Sequence, residues 1–182
     1  MPLFSGGSED VFRFDHTTRR WIGAGFVILL ALTLFGARSL DAPLILYPSS
    51  GSLPAGFYIR SFQPVASGEI VAFNMPKKAW RYLEGEGQDD EADLLLIKPL
   101  AAGPGDHVCN DTKNGLRING QKIAPTARYD SHGQELPVWS ACRHLHEHEH
   151  LAISTFVQNS FDSRYFGPID AASIKGVYDL VL

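Results

Sequence analysis

Tyr47-Pro-Ser-Ser-Gly-Ser-Leu-Pro-Ala-Gly-Phe-Tyr-Ile-Arg60 is the stretch from which the rest of the chain is read. Pro48, Gly51, Pro54 and Gly56 break any helix here and bracket a cluster of hydroxyls, so the segment presents serine on a rigid turn. Serine is a poor nucleophile at its free pKa and matters only where the chain also supplies a base. Lys98, inside Leu94-Leu-Leu-Ile-Lys-Pro-Leu100, is the candidate. An ammonium in a strand this apolar is poorly solvated, which lowers a lysine pKa from about 10.4 and brings the neutral amine within reach near pH 7. Serine with a buried lysine is a known hydrolase pairing.

Upstream of this stretch, residues 21 to 37 (Trp21-Ile-Gly-Ala-Gly-Phe-Val-Ile-Leu-Leu-Ala-Leu-Thr-Leu-Phe-Gly-Ala37) carry no charge, and as a helix they cover roughly 25 Å, the short end of a bilayer span. A transmembrane helix is expected over 21–37, with a cleaved leader or a buried core helix as alternatives. The run is longer than the usual leader core of about 7 to 15 residues, and no clear Ala-x-Ala site follows it. Arg19 and Arg20 precede the run while only Arg38 follows closely, which favours a cytoplasmic N-terminus. The expected organisation is a cytoplasmic arm over 1–20, the helix, and one periplasmic body over 38–182. A chain of 182 residues is long enough for such a body to bury a real core. The net charge of −4 and the lack of a recurring basic stripe argue against nucleic acid.

The body reads as mostly β. Short strand-like runs at Phe57–Phe62, Glu69–Phe73, Leu94–Leu100, His107–Cys109, Leu116–Ile118, Gln121–Ile123, Leu151–Val157 and Val177–Leu182 alternate with turn clusters. Asn119-Gly120 is a two-residue hairpin signal. Between Ala79 and Asp93 the acid-rich run Glu84–Asp93 reads as a solvated loop. In His144-Leu-His-Glu-His-Glu-His150 an extended backbone puts four histidines on one face, a pattern that suits a borderline metal; a hydrated loop is the competing reading, and no metal site is assigned. Asp162 and Arg164, if extended, share a face and can pair with each other or with neighbours, and a surface pair of this kind contributes under about 1 kcal/mol. Cys109 and Cys142 are the only cysteines, and outside the cytoplasm two cysteines are expected to pair, the alternative being two buried free thiols.

Four segments in order resemble the type I signal peptidases. Ser50-Gly-Ser52-Leu-Pro54-Ala-Gly56-Phe-Tyr58 is similar to the nucleophile box, and its Ser-x-Pro-x-Gly-x-Tyr form is most like the TraF-type branch of conjugative transfer. Gly68-Glu-Ile-Val-Ala-Phe73 resembles the strand after the nucleophile. Leu96-Ile-Lys98-Pro-Leu-Ala-Ala-Gly-Pro-Gly-Asp106 resembles the lysine box, and Asn159-Ser-Phe-Asp-Ser-Arg-Tyr-Phe-Gly167 the closing box. The resemblance implies a curved antiparallel β fold behind a retained membrane anchor, a Ser52/Lys98 dyad and no cofactor. It assigns the oxyanion donors to the Ser52 N–H and the Ser50 hydroxyl, the orientation of the lysine to Ser160, and support of the site to Asp162 and Arg164. It also supports a Cys109–Cys142 disulfide.

The expected function is a membrane-anchored serine endopeptidase whose partner is a precursor protein, a pilin precursor in plasmid transfer. The alternative is a general signal peptidase acting on many preproteins. A different class, a membrane-tethered binding module of a secretion system, would have no need of Lys98 in an apolar strand.

Overall fold

The computed structural model describes Trp21 and residues 25–30, 42–48, 50–83 and 94–181. The chain divides into two units, Met1–Asp41 and Ala42–Leu182. In the first, residues 25–30 are helical, and Phe26, Val27, Ile28 and Leu29 are exposed. Most of the membrane helix expected over 21–37, and all of the arm over 1–20, lie outside the described residues. Among the described residues no helix is long and apolar enough to cross a membrane.

The second unit is built on antiparallel sheets, as expected of a mostly β body. The larger sheet contains β1 (Ile45–Leu46), β2 (Phe57–Ser61), β3 (Ile70–Asn74), β4 (Leu95–Ala102), β9 (Glu149–Ala152), β10 (Ile169–Asp170) and β11 (Ile174–Val181), in the order β1-β2-β11-β3-β4-β9-β10. The smaller contains β5 (His107–Asn110), β6 (Leu116–Ile118), β7 (Gln121–Ala124) and β8 (Ala141–His144), in the order β7-β6-β5-β8. Asn119-Gly120 makes the β6–β7 turn with φ of 51° and 82°, the double positive φ that this dipeptide favours.

Apolar alternation decides which faces turn inward. Val71 and Phe73 of β3, Leu100 of β4, Ala152 of β9 and Phe166 bury into one cluster. Val108, Leu116, Leu145 and Leu151 form a second around the small sheet. Leu53, Tyr58, Ala72 and Tyr178 form a third, on the opposite face of β3 from the first. Fully burying one such large side chain contributes about 1.5–3 kcal/mol, so this third cluster is a firm anchor for the loop that carries Leu53.

Several expectations are corrected. The loop read between Ala79 and Asp93 begins as a helix, α1 (Lys77–Leu83), because Ala79 and Trp80 are pulled into the first core; Glu84–Asp93 lies outside the described residues. β1, β8 and β10 fall where no strand was read, since two to four residues carry too little alternation to register. The strand expected over Leu151–Val157 stops at Ala152. The histidines do not share a face: β8 ends at His144, His146 and His148 are exposed in the turn, and His150 is buried in β9.

Candidate active site

Ser52 sits on the loop between β1 and β2, and its position follows from its neighbours. Gly51 adopts φ of 65°, which lets the chain fold back so that the hydroxyls of Ser50 and Ser52 meet at 2.9 Å. Leu53 plugs into the third core, and the hydroxyl of Tyr58, a fully buried residue, donates to Pro54 O at 2.9 Å. Gly56 makes room for β11: a Cβ there would lie 2.5 Å from Leu180 Cδ1. Turn, plug and tyrosine tie together fix the loop that carries Ser52.

Lys98 lies in the middle of β4, opposite Val71 of β3, and alternation puts it on the same inward face as Leu100 and Ala102. It is only 5% exposed. Nζ donates to Ser160 Oγ at 3.1 Å. Burial pushes its pKa down to about 8; the carboxylate of Asp162 works against that shift, and the guanidinium of Arg164 adds to it. A groove of about 410 Å³ is lined by Leu46, Tyr47, Ser50 and the run Leu94–Lys98, so the lysine and the first serine face one solvent-connected cleft.

Asp162 and Arg164 overturn the surface-pair expectation. They are 0% and 1% exposed. Their segment is not extended: Asp162 caps α2 (Ser163–Phe166) by accepting from Arg164 N at 3.1 Å. The helical turn brings the guanidinium back onto the carboxylate, with Nε to Oδ1 and Nη2 to Oδ2 both at 2.9 Å. The remaining arginine donors reach Pro125 O, Gln158 O and Ser160 O. A bidentate pair whose five N–H groups all find acceptors is the arrangement in which a buried charge is tolerated.

The pair also reaches both halves of the site. Asp162 Oδ2 accepts from Ser154 N at 3.2 Å, and the Ser154 hydroxyl donates to Ser52 O. On the other side, Arg164 holds the carbonyl of Ser160, whose hydroxyl holds Lys98. Thus a chain of hydrogen bonds links Ser50 and Ser52 through Ser154 to Asp162 and Arg164 and on to Ser160 and Lys98, with Ser52 Oγ bonded to Ser50 and Lys98 Nζ to Ser160. Ser154 is a residue that sequence reasoning missed, and only its place between Ser52 and Asp162 in space marks it. Asn110 was missed as well: its Nδ2 donates to Arg164 O at 2.8 Å, fastening the small sheet to the closing segment.

Cys109 and Cys142 lie in the small sheet as direct cross-strand partners of β5 and β8, with Cα atoms 3.9 Å apart and sulfurs in contact. They belong to no part of the serine–lysine cluster.

The chain matches the family described as signal peptidase, peptidase S26, over residues 19–182. It is similar to a plasmid transfer protein TraF of Escherichia coli, 32% identical over 181 residues that cover 93% of this chain and 98% of that protein. A second Escherichia coli plasmid transfer protein TraF is 31% identical over 166 residues, covering 86% and 92%. Among solved structures, a signal peptidase I from Enterococcus faecalis aligns at 22% identity over 64% of this chain and 98% of that one, with a TM-score of 0.39.

Proposed function

Because the chain belongs to the signal peptidase family, peptidase S26, we propose that it is a serine endopeptidase in which Ser52 is the nucleophile and Lys98 the general base. The observation that carries the reading is Lys98 itself: a lysine on the buried face of a central strand, held by Ser160 and beside a groove shared with Ser50. Ser160 accepts one hydrogen of Nζ and so fixes the direction of the amine. Neutral Lys98 takes the proton of Ser52 Oγ, the oxygen attacks the scissile carbonyl, and an acyl-enzyme forms before water releases it. The Ser52 N–H and the Ser50 hydroxyl stabilise the charge that develops on the carbonyl oxygen.

The relatives named for plasmid transfer support a narrower reading, in which the substrate is a pilin precursor of a conjugative system and the chain is held in the bacterial inner membrane by residues 21–37, body outward. Incubating the full-length protein in detergent with such a precursor and with an unrelated secreted preprotein, then weighing the products, tests this. Cleavage of the pilin precursor alone is expected. Equal cleavage of both would make it a general signal peptidase, and cleavage of neither would leave a binding module.

Ser50→Ala keeps the nucleophile and loses one oxyanion donor, so kcat is expected to fall roughly 10²- to 10³-fold. A single-turnover rate equal to wild type would place the donor elsewhere. The rate is also expected to depend on pH in the sense of a base that must be neutral. It is low below pH 7, rises through a midpoint near 8 and is level above, because Lys98 is depressed to about 8. A profile still rising at pH 10 would contradict the burial of the amine.

Cys109 and Cys142 are proposed to be disulfide-bonded in the exported protein, closing a loop that stabilises by about 2–4 kcal/mol. Alkylation of denatured, unreduced protein should label no thiol; two labels per chain would refute the bridge.

A further inference from the structure

The β5–β8 ladder places four metal-ligating side chains on one face. His107 pairs with His144 and, two residues along, Cys109 pairs with Cys142. Successive side chains of a strand alternate, so positions 107 and 109 point the same way, as do 142 and 144. The rings of His107 and His144 lie 4.9 Å apart. His107 stands against both sulfurs, with Nδ1 4.0 Å from Cys109 Sγ and Nε2 3.9 Å from Cys142 Sγ. His107, Cys109 and Cys142 each offer a ligand atom, all within 4.8 Å of one another.

Tetrahedral zinc with bonds of about 2.0–2.3 Å sets its ligand atoms roughly 3.3–3.8 Å apart; one nitrogen of His107 lies within 4.8 Å of both sulfurs, so a turn of the ring brings it to that spacing. His144 lies on the same face with its ring beside His107, outside the group of atoms already within reach of one another, and must swing in to complete the set. Its Nδ1 lies 2.9 Å from Gly105 O, and a carbonyl only accepts, so Nδ1 is the donor there and Nε2 is the atom left to face a metal. That outer hydrogen bond is the usual way in which a metal-ligating histidine is oriented. β8 is an edge strand of its sheet and Cys142 is exposed, so solutes reach the sulfurs.

We propose that these residues form a redox-gated Cys2His2 site: with the Cys109–Cys142 bond open, the same face binds a thiophilic divalent ion such as Zn²⁺. Opening the bond takes two electrons and two protons from a dithiol, which itself becomes a disulfide. Binding the ion then releases the two thiol protons to solvent and leaves two thiolates and two neutral imidazoles around the metal. The ion joins β5 to β8 where the disulfide did, so the edge of the small sheet stays fastened in either redox state. The face lies outside the serine–lysine cluster, and the inference is independent of the proposed peptidase mechanism.

The test uses full-length protein in detergent, reduced with a phosphine and titrated with Co²⁺ under argon. Reduced protein is expected to take up one equivalent, with a sulfur-to-cobalt charge-transfer band and the visible bands of tetrahedral cobalt, both abolished by Zn²⁺; oxidised protein shows neither. Cys109→Ser and Cys142→Ser each reduce the charge-transfer band. His107→Ala and His144→Gln, purified with the bridge intact and then reduced, weaken binding roughly 10- to 100-fold. Binding without reductant by a chain found to have free thiols would overturn the redox gating. The proposal is overturned if reduced protein of unchanged circular dichroism gives no cobalt band. It is equally overturned if both histidine variants bind as tightly as wild type, or if reduction unfolds the sheet and Zn²⁺ does not restore it.

Discussion

Lys98→Met is expected to abolish precursor cleavage and, in the same protein, to raise stability. The loss follows from the unity of the pair: without a base Ser52 keeps its proton, and removing one member of such a unit costs on the order of 10⁴-fold or more in turnover. Ser52→Ala should fall as far, and Lys98→Arg should not rescue, because a guanidinium remains protonated throughout the working range. The gain in stability follows from the depressed pKa. In the unfolded chain Lys98 titrates near its ordinary 10.5, and in the folded protein near 8. Below pH 8 it is charged in both states, and the fold bears the full cost of an ammonium among apolar neighbours. Between about 8 and 10.5 the unfolded chain binds more protons, so stability rises with pH and the cost disappears. The shift corresponds to about 3 kcal/mol at pH 7, less whatever Ser160 loses by having no partner. Chemical denaturation of wild type and Lys98→Met at pH 7 and pH 10 reads this directly: the gap should be wide at pH 7 and narrow at pH 10. A variant that is inactive but no more stable at pH 7 would mean that the lysine is better solvated than its burial indicates.

Asp162→Ala is expected to cost about 3–5 kcal/mol, because it leaves the guanidinium of Arg164 buried without its counter-charge. For a domain whose whole stability is of order 5–15 kcal/mol this is a large share, so Asp162→Asn, which keeps the shape, is the variant in which to follow catalysis. Asp162 supports the charged form of Lys98 and Arg164 opposes it. Neutralising the carboxylate therefore drives the lysine pKa further down, and the pH midpoint of activity should move below 8. Turnover at high pH should also fall, since the links through Ser154 to Ser52 and through Arg164 to Ser160 slacken. A midpoint that stays at 8 with full stability retained would show that the pair does not govern the site.

How this geometry was legible in the sequence differs from residue to residue. Pro48, Gly51, Pro54 and Gly56 mark a rigid turn before a strand, and the run Leu94–Ile97 marks a desolvated lysine, because a turn and an apolar strand are each specified within a few consecutive residues. The Asn119-Gly120 hairpin is of the same kind. Asp162 and Arg164 were identified as supports through family resemblance, but the residues alone suggested a weak surface pair. Spacing along the chain carries no information on burial, and the cap that turns Asp162-Ser163-Arg164 into a helical start depends on the segment docking against the core.

The sequence by itself determined the serine-bearing turn, the apolar setting of Lys98 and the mostly β character of the body, because local periodicity, proline and glycine act over distances of a few residues. Only the tertiary structure decided what lies beside them. Ser160 meets Lys98 across 62 positions and Ser154 meets Ser52 across 102. His107 comes to stand against both sulfurs through the register of β5 on β8. Such contacts are set by which strand pairs with which, and in what register. Shifting one pairing by a single residue would turn every side chain of that strand to its other face, which no stretch of local sequence can specify.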